Sequence, residues 1–165
     1  MSQSPIGHTV VTTANDQYAV HTPGESIEVV DSMGLKRFKY IKYDSGTAPI
    51  AAAAGNIAYF FDGTDFNGYE VTSDVSETDV NHVAGVLQNV ITDEYYGWIQ
   101  TWGYYATVTT NGDDDIAAGD ALIGVGDGTV NSVAQDTAPT NKVIGWAIAD
   151  DVNADNDVAA YLVLE

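Results

Sequence analysis

Asp151, Asn153 and Asp155, in the stretch DDVNADNDV, occupy the first, third and fifth positions of a calcium-loop pattern, where side-chain oxygens would ring a hard cation. The pattern breaks at its sixth position, where Asn156 stands in place of the turn glycine, and at its twelfth, where Leu162 replaces a bidentate glutamate. A solvated acidic turn between two strands is the expectation. Asp113, Asp114 and Asp115 form a second carboxylate run without ligand spacing, and read as the cap of a strand-ending loop. The three histidines, His8, His21 and His82, are scattered, and the chain has no HExxH, GxSxG or phosphate-loop motif. A catalytic triad or a carboxylate pair needs no fixed order along a chain, but nothing here selects one. No cofactor, no metal and no enzymatic reaction is expected.

Two other segments carry recognition chemistry instead. YYGWIQTWGYY, residues 95–105, is the densest aromatic run, with Trp98, Trp102 and Tyr104 among its rings. On a strand, Trp98 and Gln100 share one face and Ile99 and Thr101 the other. Core packing is the plainer reading, because large aromatics commonly supply core area. A protein-docking anchor is the functional reading, because Trp and Tyr dominate interface hot spots, and a sugar-stacking platform is the third. GLKRFKYIKYDSG, residues 34–46, holds Lys36, Arg37, Lys39 and Lys42, four of five basic residues in a chain with 24 acidic ones. As a strand it directs Lys36, Phe38, Tyr40 and Lys42 one way and Arg37, Lys39, Ile41 and Tyr43 the other, so charge and aromatic surface mix on both faces. Such cations either protect a sheet edge from aggregation or form a docking strip for acidic surface on a partner or a second copy.

Elements able to position these residues must be built from 165 residues, enough for one domain with a real core. A net charge of −19 with 45% hydrophobic residues describes a folded body with a strongly negative surface, not a disordered acidic polymer. That surface repels phosphate backbones and anionic lipid, so neither nucleic acid nor membrane is an expected partner. With no cysteine there is no disulfide framework and no thiolate chemistry. The opening MSQSPIGHTV lacks a basic and apolar leader pattern, and PIAAAAG is too short to span a bilayer, so neither cleaved secretion nor insertion is expected.

Asp62-Gly63, Asn67-Gly68, Asn111-Gly112 and Asp127-Gly128 mark tight turns between short β-branched and aromatic runs. Strands are expected at 38–43, 83–90, 96–101, 142–149 and 158–164, with a capped helical turn starting at Ser73 or Asp74. The fold class is therefore all-β, a short-stranded sandwich or barrel-like body over residues 35–165. Residues 1–34, polar with only brief apolar pairs, read as an extended N-terminal arm holding one or two short strands.

The order RFKYIKYDSGTAPIAAAAGNIAYF, VAGVLQNVITDEYYGWIQTWGYYATV, IAAGDALIGVGDGTV, VIGWAIAD and VAAYLVLE resembles the capsid decoration, or cement, proteins of tailed bacteriophages. The resemblance covers about residues 36–165 and rests on the shared order of turn glycines and strand residues. It implies a non-enzymatic virion protein on the exterior of an expanded capsid, bound to the major capsid protein and to its own copies, a trimer before a dimer. Lys36, Arg37, Lys39, Lys42, Trp98, Trp102 and Tyr104 are the interface candidates. The alternative is a phage tail or host-recognition β module that binds surface glycan through Trp98, Trp102 and nearby tyrosines.

Overall fold

The computed structural model describes residues 8–61, 67–77, 82–133, 142–151 and 156–164. Among them the chain is nearly all β, as expected: ten strands, one short helix and one 3-10 turn. The strands are β1 (Ser26–Asp31), β2 (Gly34–Tyr43), β3 (Ile57–Phe60), β4 (Glu70–Thr72), β5 (Val83–Leu87), β6 (Tyr96–Thr109), β7 (Ala121–Gly126), β8 (Thr129–Val133), β9 (Val143–Ala147) and β10 (Asp157–Val163). The helix α1 is His8–Thr13, and the 3-10 turn is Val75–Glu77. Asp74 caps that turn, accepting from the Ser76 backbone N–H at 2.9 Å and from its hydroxyl at 2.6 Å.

Strand order β1-β2-β4-β3-β5-β6-β10-β9-β7-β8 would be an open sheet but for one further pairing, β2 with β6. That pairing closes β2, β4, β3, β5 and β6 into a five-stranded ring. The other half of the sheet curls back in turn. Thr110, just past β6, bridges to Val130 of β8, so β6, β10, β9, β7 and β8 form a second ring. β6 is long because it serves both rings: Tyr96–Trp102 pairs with β2, and Trp102–Thr109 pairs with β10. Closure leaves few strand edges for other chains to pair with.

Each ring holds its own core. Ile41, Tyr43, Ala58, Val71, Leu87 and Ile99 fill the first. Val108, Leu122, Val130, Ile144, Ala160 and Leu162 fill the second, joined by Ile57, Tyr59 and Val86 from the opposite face of β3 and β5. All five residues of β5 are buried because the strand lies between the two cores. That explains why VAGVL shows no polar alternation.

Residues 8–34, read from sequence as most of an extended arm, lie against the body. β1 forms a hairpin with β2, and Val11 and Ala14 pack with Phe38, Tyr40 and Trp98 in a third cluster. Asp16 and Tyr96 exchange two backbone hydrogen bonds of 2.8 Å. The Tyr40 hydroxyl donates to Asp16 Oδ2 at 2.7 Å, and Asn89 Nδ2 donates to the Ala14 carbonyl at 2.9 Å. Burial first, and then Asp16, push the Tyr40 hydroxyl pKa well above its usual range. Composition misled here because the segment's apolar residues are few and widely spaced, yet Val11, Ala14, Ile27 and Val29 land on a ready-made aromatic surface.

Several turns stand where their dipeptides placed them. Asp127-Gly128 joins β7 to β8 directly, and Asn67 accepts from the Tyr69 and Glu70 N–H groups ahead of β4. Asn111-Gly112 is not a hairpin: it ends β6 and opens a loop to β7, and those strands do not pair. Asp62-Gly63 lies outside the described residues.

Deleting residues 1–25 is expected to uncover Trp98 and Tyr40 and to lower stability by more than about 3 kcal/mol, since each large side chain returned to water costs about 1.5–3 kcal/mol. Urea unfolding of the truncated chain measures it; an unchanged midpoint would restore the free arm.

Candidate protein-docking surface

β2 decides where the basic strip goes. It is hydrogen-bonded to β6 along one side and to β1 and then β4 along the other, so it is an interior strand. The edge-protection account of its cations is thereby overturned. Alternation then sorts its side chains between two covered faces: Phe38 and Tyr40 enter the N-terminal cluster, Ile41 and Tyr43 the first ring.

Two of the four cations are structural. Lys36 is only 9% exposed, its ammonium 2.9 Å from Asp31 and 5.7 Å from the centre of the Tyr104 ring. Lys42 sits among Asp44, Glu70 and Glu94, carboxylates gathered from three parts of the chain. Its Nζ donates to Glu70 Oε1 at 3.1 Å and also pairs with Glu94. Burial alone would depress the Lys42 pKa, but the hydrogen bonds it donates to Glu94 and Glu70 outweigh it and hold it above the usual lysine value. The carboxylate trio has the density of a cation site, and Lys42 pairs with two of its three members.

Arg37 and Lys39 differ: they share the face of Ile41 and Tyr43 but lie nearer the start of the strand, beyond the first ring's core, and are only partly buried. Arg37 Nε donates to Glu28 Oε1 at 2.8 Å, and its guanidinium lies 5.5 Å from the centre of the Trp102 ring. Trp102 in turn meets Tyr161 edge-on at 6.0 Å, and Tyr161 stands opposite Trp146 in the β10–β9 register. Tyr161 is 38% and Trp146 46% exposed. One cation–aromatic band therefore crosses four strands, β2, β6, β10 and β9. At its β2 end, Val30 and Leu35 face each other across the β1–β2 hairpin in the same alternation as Glu28 and Arg37, and both are exposed. Arg, Trp and Tyr are the residues that carry most binding energy in protein interfaces.

Two glycines make the band possible. Gly103, at φ 93°, lets β6 approach β2 so closely that a Cβ would sit 2.4 Å from the Leu35 carbonyl oxygen. Gly145 does the same between β9 and β10, where a Cβ would lie 2.2 Å from the Tyr161 carbonyl oxygen.

Beside the band, a concavity of about 330 Å³ opens between β2, β6 and β5. Arg37 belongs to both. Lys39 and Lys142 complete the basic part of its wall, so three of the chain's five cations meet there. Lys39 Nζ lies 4.9 Å from the centre of the Phe60 ring and has no carboxylate at ion-pair distance among the described residues. Burial depresses its pKa.

Of the remaining sequence candidates, Trp98 is fully buried against Tyr40 and His21, a core residue and no anchor. Trp102 belongs to the band; Tyr104 stands opposite Tyr161 and receives Lys36. His21 packs on those core rings, and His82 precedes β5. Asp113 and Asp114 accept from Asn111 and Asn131 side chains, as a loop cap does. Asp151 is buried and its backbone pairs with Ile116; Asn153 and Asp155 lie outside the described residues. Sequence reasoning missed Trp146, Tyr161 and Lys142. Tyr161 was findable, because Ala160, Leu162 and Leu164 alternate inward around it. Trp146 was not: it shares its parity with buried Ile144, and the β7–β9 register shifts nearby.

No family model matches the chain, and no curated protein matches it.

Lys42→Gln is expected to cost about 1–2 kcal/mol, the worth of charge-assisted bonds left unmade at Glu70 and Glu94. Because the folded pKa of Lys42 is raised, its contribution is fully present below about pH 10 and fades only as pH rises through that higher value. Urea midpoints of variant and wild type should therefore stay apart from pH 6 to about pH 10. Equal midpoints at neutral pH would show that the Lys42 bridges contribute nothing.

Proposed function

We propose that this protein is a non-enzymatic structural component of a virion, a decoration protein that docks on the outside of an expanded phage capsid and holds it together. The observation that carries this reading is the partly exposed band Arg37–Trp102–Tyr161–Trp146, which runs across four strands of the β body. The resemblance of the ordered motifs to capsid decoration proteins supports the major capsid protein as the surface it meets, with further copies of this chain beside it.

The mechanism needs no chemistry beyond binding. A protein that binds the assembled shell and not its separated subunits stabilises the shell by its binding free energy. Symmetric repetition multiplies a modest interface, and an oligomer, trimer or dimer, engages several sites at once. A rigid two-ring body suits this role, because little conformational entropy is lost on docking.

A glycan-binding module is the second reading. The exposed Trp146 and Tyr161 rings favour it, since flat aromatic faces can stack on sugars; buried Trp98 cannot take part.

Added to expanded capsids stripped of this protein, it is expected to bind in saturable amount and raise their disruption temperature. Trp102→Ala with Trp146→Ala should weaken binding by about tenfold or more, a hot-spot loss above 1.4 kcal/mol, while urea stability changes far less. Absence of binding to shells would reject the reading, and glycan-array binding lost in the same variant would replace it with the second.

A further inference from the structure

The concavity beside the band has a chemistry that docking alone does not demand. In a chain of net charge −19, three of five cations line it, and Lys39 is half-buried there with an aromatic ring for a neighbour and no carboxylate among the described residues. An ammonium half-withdrawn from water, with no carboxylate at ion-pair distance among the described residues, gains from an anion that arrives to meet it.

We propose that this pocket receives an acidic side chain carried on a segment of the docking partner, its carboxylate held by Arg37, Lys39 and Lys142 and its stem lying over Phe60, Val83 and Leu164. The inference rests on the docking reading.

Three observations select that occupant. A volume of about 330 Å³ with an apolar floor suits a methylene stem with a charged tip, whereas a bare inorganic anion would leave the floor uncovered. The field of the surrounding acids opposes a phosphate dianion about twice as strongly as a carboxylate. Finally, Arg37 lines both pocket and band, so a partner seated on Trp102 presents its next segment at the pocket mouth. Tethered in this way, a carboxylate reaches an effective concentration that overcomes the long-range repulsion a free anion meets.

The test titrates a tetraglutamate peptide blocked at both ends, and separately inorganic phosphate, into the isotope-labelled full chain. It is run near 0.15 M salt, where screening over about 8 Å mutes the distant acids. NMR shifts that saturate with peptide at Lys39, Val83 and Leu164, and an affinity reduced about tenfold in Lys39→Gln and in Lys142→Gln, are expected. Shifts that never saturate, or that persist unchanged in both variants, overturn the proposal. Phosphate binding tighter than the peptide overturns it in favour of a free-anion site. Thermal melts of both variants confirm the fold. Peptide binding without shell binding would keep the pocket and remove the decoration role. Shell binding equal in wild type and both variants, with no peptide binding, would do the opposite.

Discussion

The β2–β6 pairing is the constraint on which the rest of this structure depends. Without it the ten strands would form one long open sheet with apolar surface on both faces; with it, the same strands enclose two cores. β6 must then be long, because it is the common wall. Its first half is flanked by β2 and β5, and its second half by β10. Hydrogen bonds along both sides of β6 tie the two rings together, so a surface crossing from one ring to the other is carried on one shared strand.

That geometry sorts the chain's few cations. An interior strand beside two cores has to dispose of four positive side chains, and it does so by distance from water. Lys36 and Lys42 are folded back onto Asp31 and onto Glu70 and Glu94. Arg37 and Lys39 stay partly buried beyond the first ring's core, their charged groups over the Trp102 and Phe60 rings. Arg37 is paired with Glu28, so Lys39 is the cation of this strand that has no carboxylate at ion-pair distance among the described residues. The rings of Trp102, Tyr161 and Trp146 extend the same face onto the second ring, which is why the band joins residues 37 and 146 although 109 positions separate them in sequence.

Much of this was legible before any coordinates. Turn dipeptides, β-branched runs and the lack of helical periodicity were enough for the all-β class and for most strand positions, because those signals are local: a Gly that must adopt positive φ, or a run whose branched side chains suit a pleated surface. The misreadings share one cause. α1 is unexpected, the N-terminal segment reads as an arm, and an edge position stays open for the basic strand, all because each depends on what packs against it from far along the chain.

The sequence by itself determined the strands, the strongly negative surface and the confinement of four cations to one of those strands, since composition and side-chain alternation are properties of short stretches. Only the tertiary structure decided that the strand is interior, that Lys36 and Lys42 are bound inside the fold, and that Lys142 joins Arg37 and Lys39 at one pocket. The physical reason is closure: ring formation brings together residues whose separation along the chain carries no trace of their meeting.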